Sequence, residues 1–128
     1  KWDWYSISRN CNITFDDVLN NLDREWCWSK LSKSKNITMN QIKSRPDLPW
    51  SWAEMFANPN VLESDFDWIA KHNTNPHEKV NFLYASMNPN VTIPYIRSAL
   101  NEDWYWAHLS SRSGLTLKIV IENIIKIK

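Results

Sequence analysis

WDWYSISRNCNITFDDVLNNLDRE, residues 2–25, is one period of a pattern that recurs along the chain. Its landmarks are Trp2-Asp-Trp4, Ile7-Ser8, Asn10-Cys-Asn12-Ile-Thr14 and Val18-Leu19. They return as Trp26-Cys-Trp28, Leu31-Ser32, Asn36-Ile-Thr38 and Ile42, and then as Trp50-Ser-Trp52, Met55 and Asn58-Pro-Asn60-Val61. A weaker copy opens at Val80-Asn-Phe82 and runs through Asn88-Pro-Asn90-Val-Thr92. The fifth opens at Trp104-Tyr-Trp106 and carries Leu109-Ser110 and Gly114-Leu-Thr116. The units begin near 2, 26, 50, 80 and 104, so each spans 24 residues except the third, which spans 30.

Self-similarity at such a period signals stacked supersecondary units rather than one irregular fold. Thr14 is followed by Phe15, Val18, Leu19 and Leu22, an apolar stripe at helical spacing. Thr116 precedes Leu117, Val120, Ile121 and Ile124 at the same offsets. Thr14, Thr38, Thr92 and Thr116 are therefore predicted N-caps, with Asp17 and Gln41 placed to complete capping boxes. The W-x-W half predicts a shorter helix, because Trp28 and Leu31, like Trp52 and Met55, share a helical face. Pro49 is expected in its first turn. Between the helices lies the slot Asn12, Asn36, Asn60, Asn90, Gly114, the residue types that tolerate a left-handed helix end. In the third unit Ser64 is the expected cap, with Trp68-Ile69 in the Val18-Leu19 positions and a loop over residues 71–78. The fold class predicted is all-α: an α-solenoid of about five helix-turn-helix units in a single domain, residues 1–128. With Lys1 in place of Met, the chain reads as processed or as a piece of a longer one.

Composition supports a framework role for tryptophan. Eight of the nine Trp occupy W-x-W slots: Trp2, Trp4, Trp26, Trp28, Trp50, Trp52, Trp104 and Trp106. They are expected to be buried between neighbouring units, each covering roughly 150–250 Å². Ser8, Ser32, Ser86 and Ser110 are expected to let helices approach closely. Asn12, Asn36 and Asn90 also begin N-x-Thr glycosylation acceptors, but the turn and the cap already account for both residues.

The net charge of +1 gives no bulk attraction to nucleic acid or to an anionic membrane. No apolar run is long enough to span a bilayer. The chain holds one glycine, so a phosphate-binding loop is absent. Cys11, Cys27, His72, His77 and His108 form no catalytic constellation, and no enzyme is predicted. His72 and His77 lie five apart without a third ligand in phase, so no metal and no cofactor are expected. Cys11 and Cys27 occupy different slots and read as reduced thiols.

Residues outside the repeating framework carry the individuality. Tyr5, Tyr84, Tyr95 and Tyr105 are candidate partner-binding anchors, joined by His72 and His77 in the third unit's loop. The predicted function is a protein-binding scaffold. Lys30, Lys33, Lys35, Lys43 and Arg45 make the second unit locally basic, which supports RNA binding as the alternative. The apolar segment Leu117–Ile127 suggests self-association.

The motif W-x-W-x-x-(L/I)-S-x-N-(P)-N-I-T resembles repeats of uncharacterised proteins of giant nucleocytoplasmic DNA viruses, of the mimivirus, marseillevirus and iridovirus kind. The matching residues include Pro49, Trp50, Trp52, Asn58, Pro59, Asn60, Asn88, Pro89, Asn90 and Thr92. Val80 and Phe82, in place of the Trp pair, depart from it. The resemblance implies a viral protein acting inside an infected host cell, in cytoplasm, virus factory or virion, and with the self-associating apolar segment it allows a structural role in the virion as a further alternative. It implies no catalytic residues.

Overall fold

The computed structural model describes residues 2–72, 80–110 and 112. Among these residues the fold is all-α, with no strand. The helices are α1 (Trp4–Ser8), α2 (Phe15–Leu19), α3 (Trp28–Ser32), α4 (Met39–Ser44), α5 (Trp52–Met55), α6 (Phe66–Ala70), α7 (Phe82–Ala85), α8 (Ile93–Ser98) and α9 (Trp106–Leu109). A 3₁₀ turn, Glu63–Asp65, precedes α6. Each helix has only four to six residues. Helices this short are not stable alone. What holds them is packing between units, and α1 meets α3, α3 meets α5 and α5 meets α7.

The W-x-W motif straddles a helix start. Its second Trp is the first helical residue, as at Trp4, Trp28, Trp52 and Trp106. Its first Trp stays outside the helix, so Pro49 precedes that segment and does not sit in a first turn. Trp26, Trp50 and Trp104 are buried, and their indole N–H groups donate to the carbonyls of Asn21, Arg45 and Ala99 at 2.8, 2.9 and 2.8 Å. Each therefore closes the end of the helix before it. Each also meets the preceding unit edge to face: Trp4–Trp26 at 5.0 Å, Trp28–Trp50 at 5.2 Å and Phe82–Trp104 at 4.9 Å. Trp2 breaks the burial rule. It is 78% exposed.

The second helices form as the sequence predicts. Thr14 and Thr38 carry complete capping boxes with Asp17 and Gln41, and Thr92 caps Tyr95 N–H with Pro94 in the first turn. Their inward side chains, Val18, Ile42, Phe66 and Ile96, are fully buried. Phe66 stands four residues after Leu62, as Val18 stands four after Thr14, which corrects the reading of the third unit. Ser64 is not the cap, and Trp68-Ile69 do not take the Val18-Leu19 positions. Leu62 occupies the Thr slot, and its N–H donates to the Asp65 carboxylate at 3.0 Å, the bond that Thr14 N–H makes to Asp17 at 2.9 Å. The unit's extra length thus falls after α6 rather than before it. His77, Gly114, Thr116 and the segment Leu117–Ile127 lie outside the described residues.

Two sets of polar side chains tie the units together. The hydroxyls of Ser8, Ser32 and Ser86 donate to Trp4, Trp28 and Phe82 carbonyls at 2.6, 2.6 and 2.7 Å. The same oxygens accept the backbone N–H of Cys27, Ser51 and Tyr105 at 2.8, 2.9 and 2.8 Å. The serine is thus a relay between units, where small size alone was expected to matter. Units one to four also turn sharply at a β-turn, closed for example by Ile13 N–H to Asn10 O at 3.1 Å and by Val61 N–H to Asn58 O at 3.0 Å. The residues that cap the first helices, Arg9, Phe56 and Ser86, are right-handed at φ −87°, −58° and −59°, so no left-handed cap ends these helices. The Asn slot lies further on, as the third residue of the turn. There Asn36 donates to Cys11 O and Ile13 O, Asn60 to Lys35 O and Ile37 O, and Asn90 to Pro59 O and Val61 O.

A second amide position, two residues earlier, binds deeper. Asn58 is fully buried, and its Nδ2 lies 2.9, 3.1 and 3.2 Å from the carbonyls of Ser32, Ser34 and Ile37. Asn88, also fully buried, repeats this one unit on with Phe56, Asn58 and Val61. In the fifth unit Arg112 takes the position, and its guanidinium reaches the equivalent carbonyls of Ser86, Asn88 and Val91. Among the described residues its buried Nε has no partner, and burial lowers its pKa from the ordinary arginine value. Arginine supplies more donors than an amide, so the bonding pattern survives the exchange.

Candidate binding face

Stacking brings residues that are 24 apart in sequence side by side. An open cleft of about 350 Å³ follows the ends of α1 and α3 and the turns behind them. Arg9, Lys30, Lys33 and Lys35 supply its charge, and Cys11, Asn36 and Pro59 its floor. Arg9 and Lys33 are the C-cap residues of α1 and α3, so the fold aims both from a helix end. Arg9 and Lys30 lie over the exposed Tyr5 ring, at 5.7 and 5.2 Å from its centre. Tyr5 thus joins a cation from its own unit to one from the next.

Glu54 organises the far side. Its carboxylate is 3.1 Å from Lys33 Nζ and accepts Ser51 Oγ–H at 3.0 Å. Burial raises its pKa, but hydrogen bonds from Ser29, Lys33 and Ser51 together with the Lys33 charge outweigh this, and the carboxyl stands below its ordinary range. Tyr84 leans on the same group. Burial first, then the Glu54 charge and hydrogen bond, raise its phenol pKa. Lys33 Nζ lies 5.8 Å from the Tyr84 ring centre. Glu54 therefore links α3, α5 and α7 and fixes Lys33 and Tyr84 in place.

The other residues singled out in the sequence lie elsewhere. Tyr95 is a packing residue, set between Phe66 at 5.6 Å and Trp104 at 6.0 Å. Its pKa is raised by burial and by Asp67, Glu63 and Glu102. Tyr105 is exposed and stacks on His108 at 6.2 Å, remote from the cleft's lining. His72 lies against two indoles, 4.7 Å from Trp52 and 4.2 Å from Trp68. Trp52 has no tryptophan waiting in the next unit, where Val80 stands, and Trp68 with His72 fills that place. His72 is thus part of the packing, with Nδ1 2.9 Å from Trp68 O.

Of the basic residues in the second unit, Lys43 pairs with Asp65 at 3.2 Å and Arg45 with Asp47 at 2.8 Å. The basic run is thereby divided between two ion pairs and the cleft. Cys11 and Cys27 are free thiols. Among the described residues no group of three or more His, Cys, Asp and Glu is placed to hold a metal, and no helix is long and apolar enough to cross a membrane. No protein-family model, curated protein or solved structure matches this chain.

Proposed function

We propose that this protein is a non-enzymatic helical-repeat module, an α-solenoid, whose basic cleft binds an acidic segment of a protein partner. One observation carries the reading: Arg9, Lys30 and Lys35 converge from two units on one open cleft, and among the described residues none is in an ion pair. Tyr5 lies against Arg9 and Lys30, and Tyr84 against the neighbouring Lys33, so aromatic surface, the residue class that anchors protein interfaces, borders the cations. A peptide carboxylate laid along the cleft would meet ammonium and guanidinium groups already held over aromatic rings. The resemblance of the W-x-W and N-P-N motifs to giant-virus repeats supports placing this activity in an infected host cell.

The test is a titration with a glutamate-rich peptide and, in parallel, a single-stranded RNA of matched charge. The expected result is peptide binding that a Lys30→Glu/Lys35→Glu variant loses while its helical circular dichroism is unchanged. Preferential RNA binding, with affinity falling steeply as salt rises, would replace the protein-partner reading with the nucleic-acid one. Equal binding by wild type and variant would remove the cleft from the function.

A further inference from the structure

The first helices of units one to four, α1, α3, α5 and α7, pack side by side in that order. Residues at the same position in successive units therefore form rows across one face. Three of these rows keep their side chains at the surface, none of them buried. The first row is Tyr5, Ser29, Ala53, Leu83, and the second is Arg9, Lys33, Ala57, Met87. The third is Cys11, Lys35, Pro59, Pro89. Over units one and two the rows hold the cleft cations Arg9, Lys33 and Lys35. Over units three and four every one of their residues is apolar. Leu83 is 47% and Met87 41% exposed. A single exposed apolar side chain is ordinary, whereas a group of them across two adjoining units marks a contact surface.

Two contacts join the basic half to the apolar one. Pro59, of unit three, lines the basic cleft. Lys33 Nζ, of unit two, lies 5.8 Å from the ring of Tyr84 in unit four. Glu54 stands at the border, 3.1 Å from Lys33 Nζ. Its carboxylate repels any partner carboxylate placed beyond unit two, which sets the register of an occupant.

We infer that the occupant of this face is a two-part peptide segment of a protein partner, with carboxylates at one end over Arg9, Lys30 and Lys35 and large apolar side chains at the other over Leu83 and Met87. The inference rests on the acidic-segment reading of the cleft and extends it along the stack. Neighbouring helix axes lie about 8–10 Å apart, so four helices span about 24–30 Å, the reach of roughly eight extended residues. A purely acidic segment of that length would lay half its charge on apolar surface and against Glu54. A segment that changes character midway matches both halves.

The experiment measures fluorescence anisotropy with labelled octapeptides. One is four glutamates followed by Leu-Ala-Leu-Ala, a second is its reversal, and a third alternates the same residues. The fourth, four glutamates followed by four serines, reads the cleft alone. One of the two block orders should bind about tenfold more tightly than the glutamate–serine peptide, as for partial burial of two leucine side chains. Leu83→Ser/Met87→Ser, at two exposed positions, should erase that gain, leaving the glutamate–serine affinity and the helical circular dichroism unchanged. Block peptides no tighter than the glutamate–serine peptide, a gain that survives in the variant, or an alternating peptide that binds as well as either block would each overturn this inference while leaving the acidic-segment reading standing. Failure of all four peptides to bind would remove both. Sedimentation supplies the other arm: a dimer that Leu83→Ser/Met87→Ser dissolves would give the apolar half to a second copy of the chain and overturn the peptide assignment.

Discussion

Replacing Asn58 by alanine is the sharpest test of how the units are held. The side chain is fully buried, and its amide faces the carbonyls of Ser32, Ser34 and Ile37. Two of those carbonyls keep another donor: Ile37 N–H reaches Ser34 O, and Asn60 Nδ2 reaches Ile37 O. The substitution thus strips a buried acceptor at Ser32, weakens two others and removes the acceptor for Asn60 N–H. An orphaned buried group costs about 1–3 kcal/mol and an ordinary bond about 0.5–1.5 kcal/mol, so the sum is about 3–5 kcal/mol. With a urea m-value of about 2 kcal/mol per molar, the midpoint should fall by about 2 M. Asn10→Ala is the internal control, since Asn10 holds the same slot with only its turn bond to Asn12 N–H, and it should cost no more than about 1 kcal/mol. Asn58→Asp should be worse than alanine, because a carboxylate would face carbonyl oxygens with no donor to offer. If Asn58→Ala and Asn10→Ala shift the midpoint equally, the amide does not join units two and three, and the account of the junctions fails.

Four further outcomes are expected. Ser32→Ala leaves the Ser51 N–H without its acceptor at the α3–α5 junction and should cost about 1–3 kcal/mol by denaturation, whereas Ser110→Ala, exposed and bonded only locally to Ala107 O, should be near neutral. Trp50→Ala should cost about 3–5 kcal/mol and Trp2→Ala almost nothing in the same assay. Glu63→Ala removes the carboxylate that accepts Thr92 N–H, a cap lent by unit three because Tyr95 cannot return one, and should cost about 0.5–2 kcal/mol. Glu54 sits below its ordinary carboxyl range when folded, so the unfolded chain binds the proton first as pH falls. Its contribution should be complete above pH about 4.3 and disappear as pH drops through the lower folded value; the pH dependence of the midpoint should flatten in that range in Glu54→Gln.

The repeat period, the Thr caps and the burial of Trp26, Trp50 and Trp104 were legible because each depends on one residue type at a fixed spacing; their partners Trp4, Trp28, Trp52 and Trp106, expected to be buried as well, are only partly so, since each begins a short helix at the edge of the core. The deeper amide position was not. It reads Asn10, Ser34, Asn58, Asn88, Arg112, a series that looks unordered until the shared carbonyls show amide and guanidinium doing one job. Ser64 misled for a related reason. Leu62 stands where threonine is expected, and a hydroxyl two residues later is the natural substitute until Asp65 is seen capping Leu62 N–H without one. Tyr95 falls outside the repeating pattern, yet it is needed inside, because Phe66 and Trp104 leave a space that only a large ring from α8 fills. The cleft was only partly visible. Lys30, Lys33 and Lys35 form a basic run in one unit, but Arg9 and Tyr5 join them solely through the stacking of unit one on unit two.

The junctions also explain how units can dock in one way while the residues lining the cleft differ. Asn36, Asn60 and Asn90 hold the unit before them through the backbone carbonyls of Cys11, Lys35 and Pro59. A thiol, an ammonium and a pyrrolidine ring occupy three equivalent positions without altering that bond, since each offers the same carbonyl oxygen. Those three side chains all line the cleft. Docking thus uses the main chain of these residues and leaves their side chains free to line the cleft. The consequence can be measured. Lys35→Glu should weaken the acidic-peptide binding proposed for the cleft and change stability by less than about 0.5 kcal/mol, as for a surface substitution. A Lys35→Glu variant that lost the stack would show that the side chain, and not its carbonyl, holds Asn60.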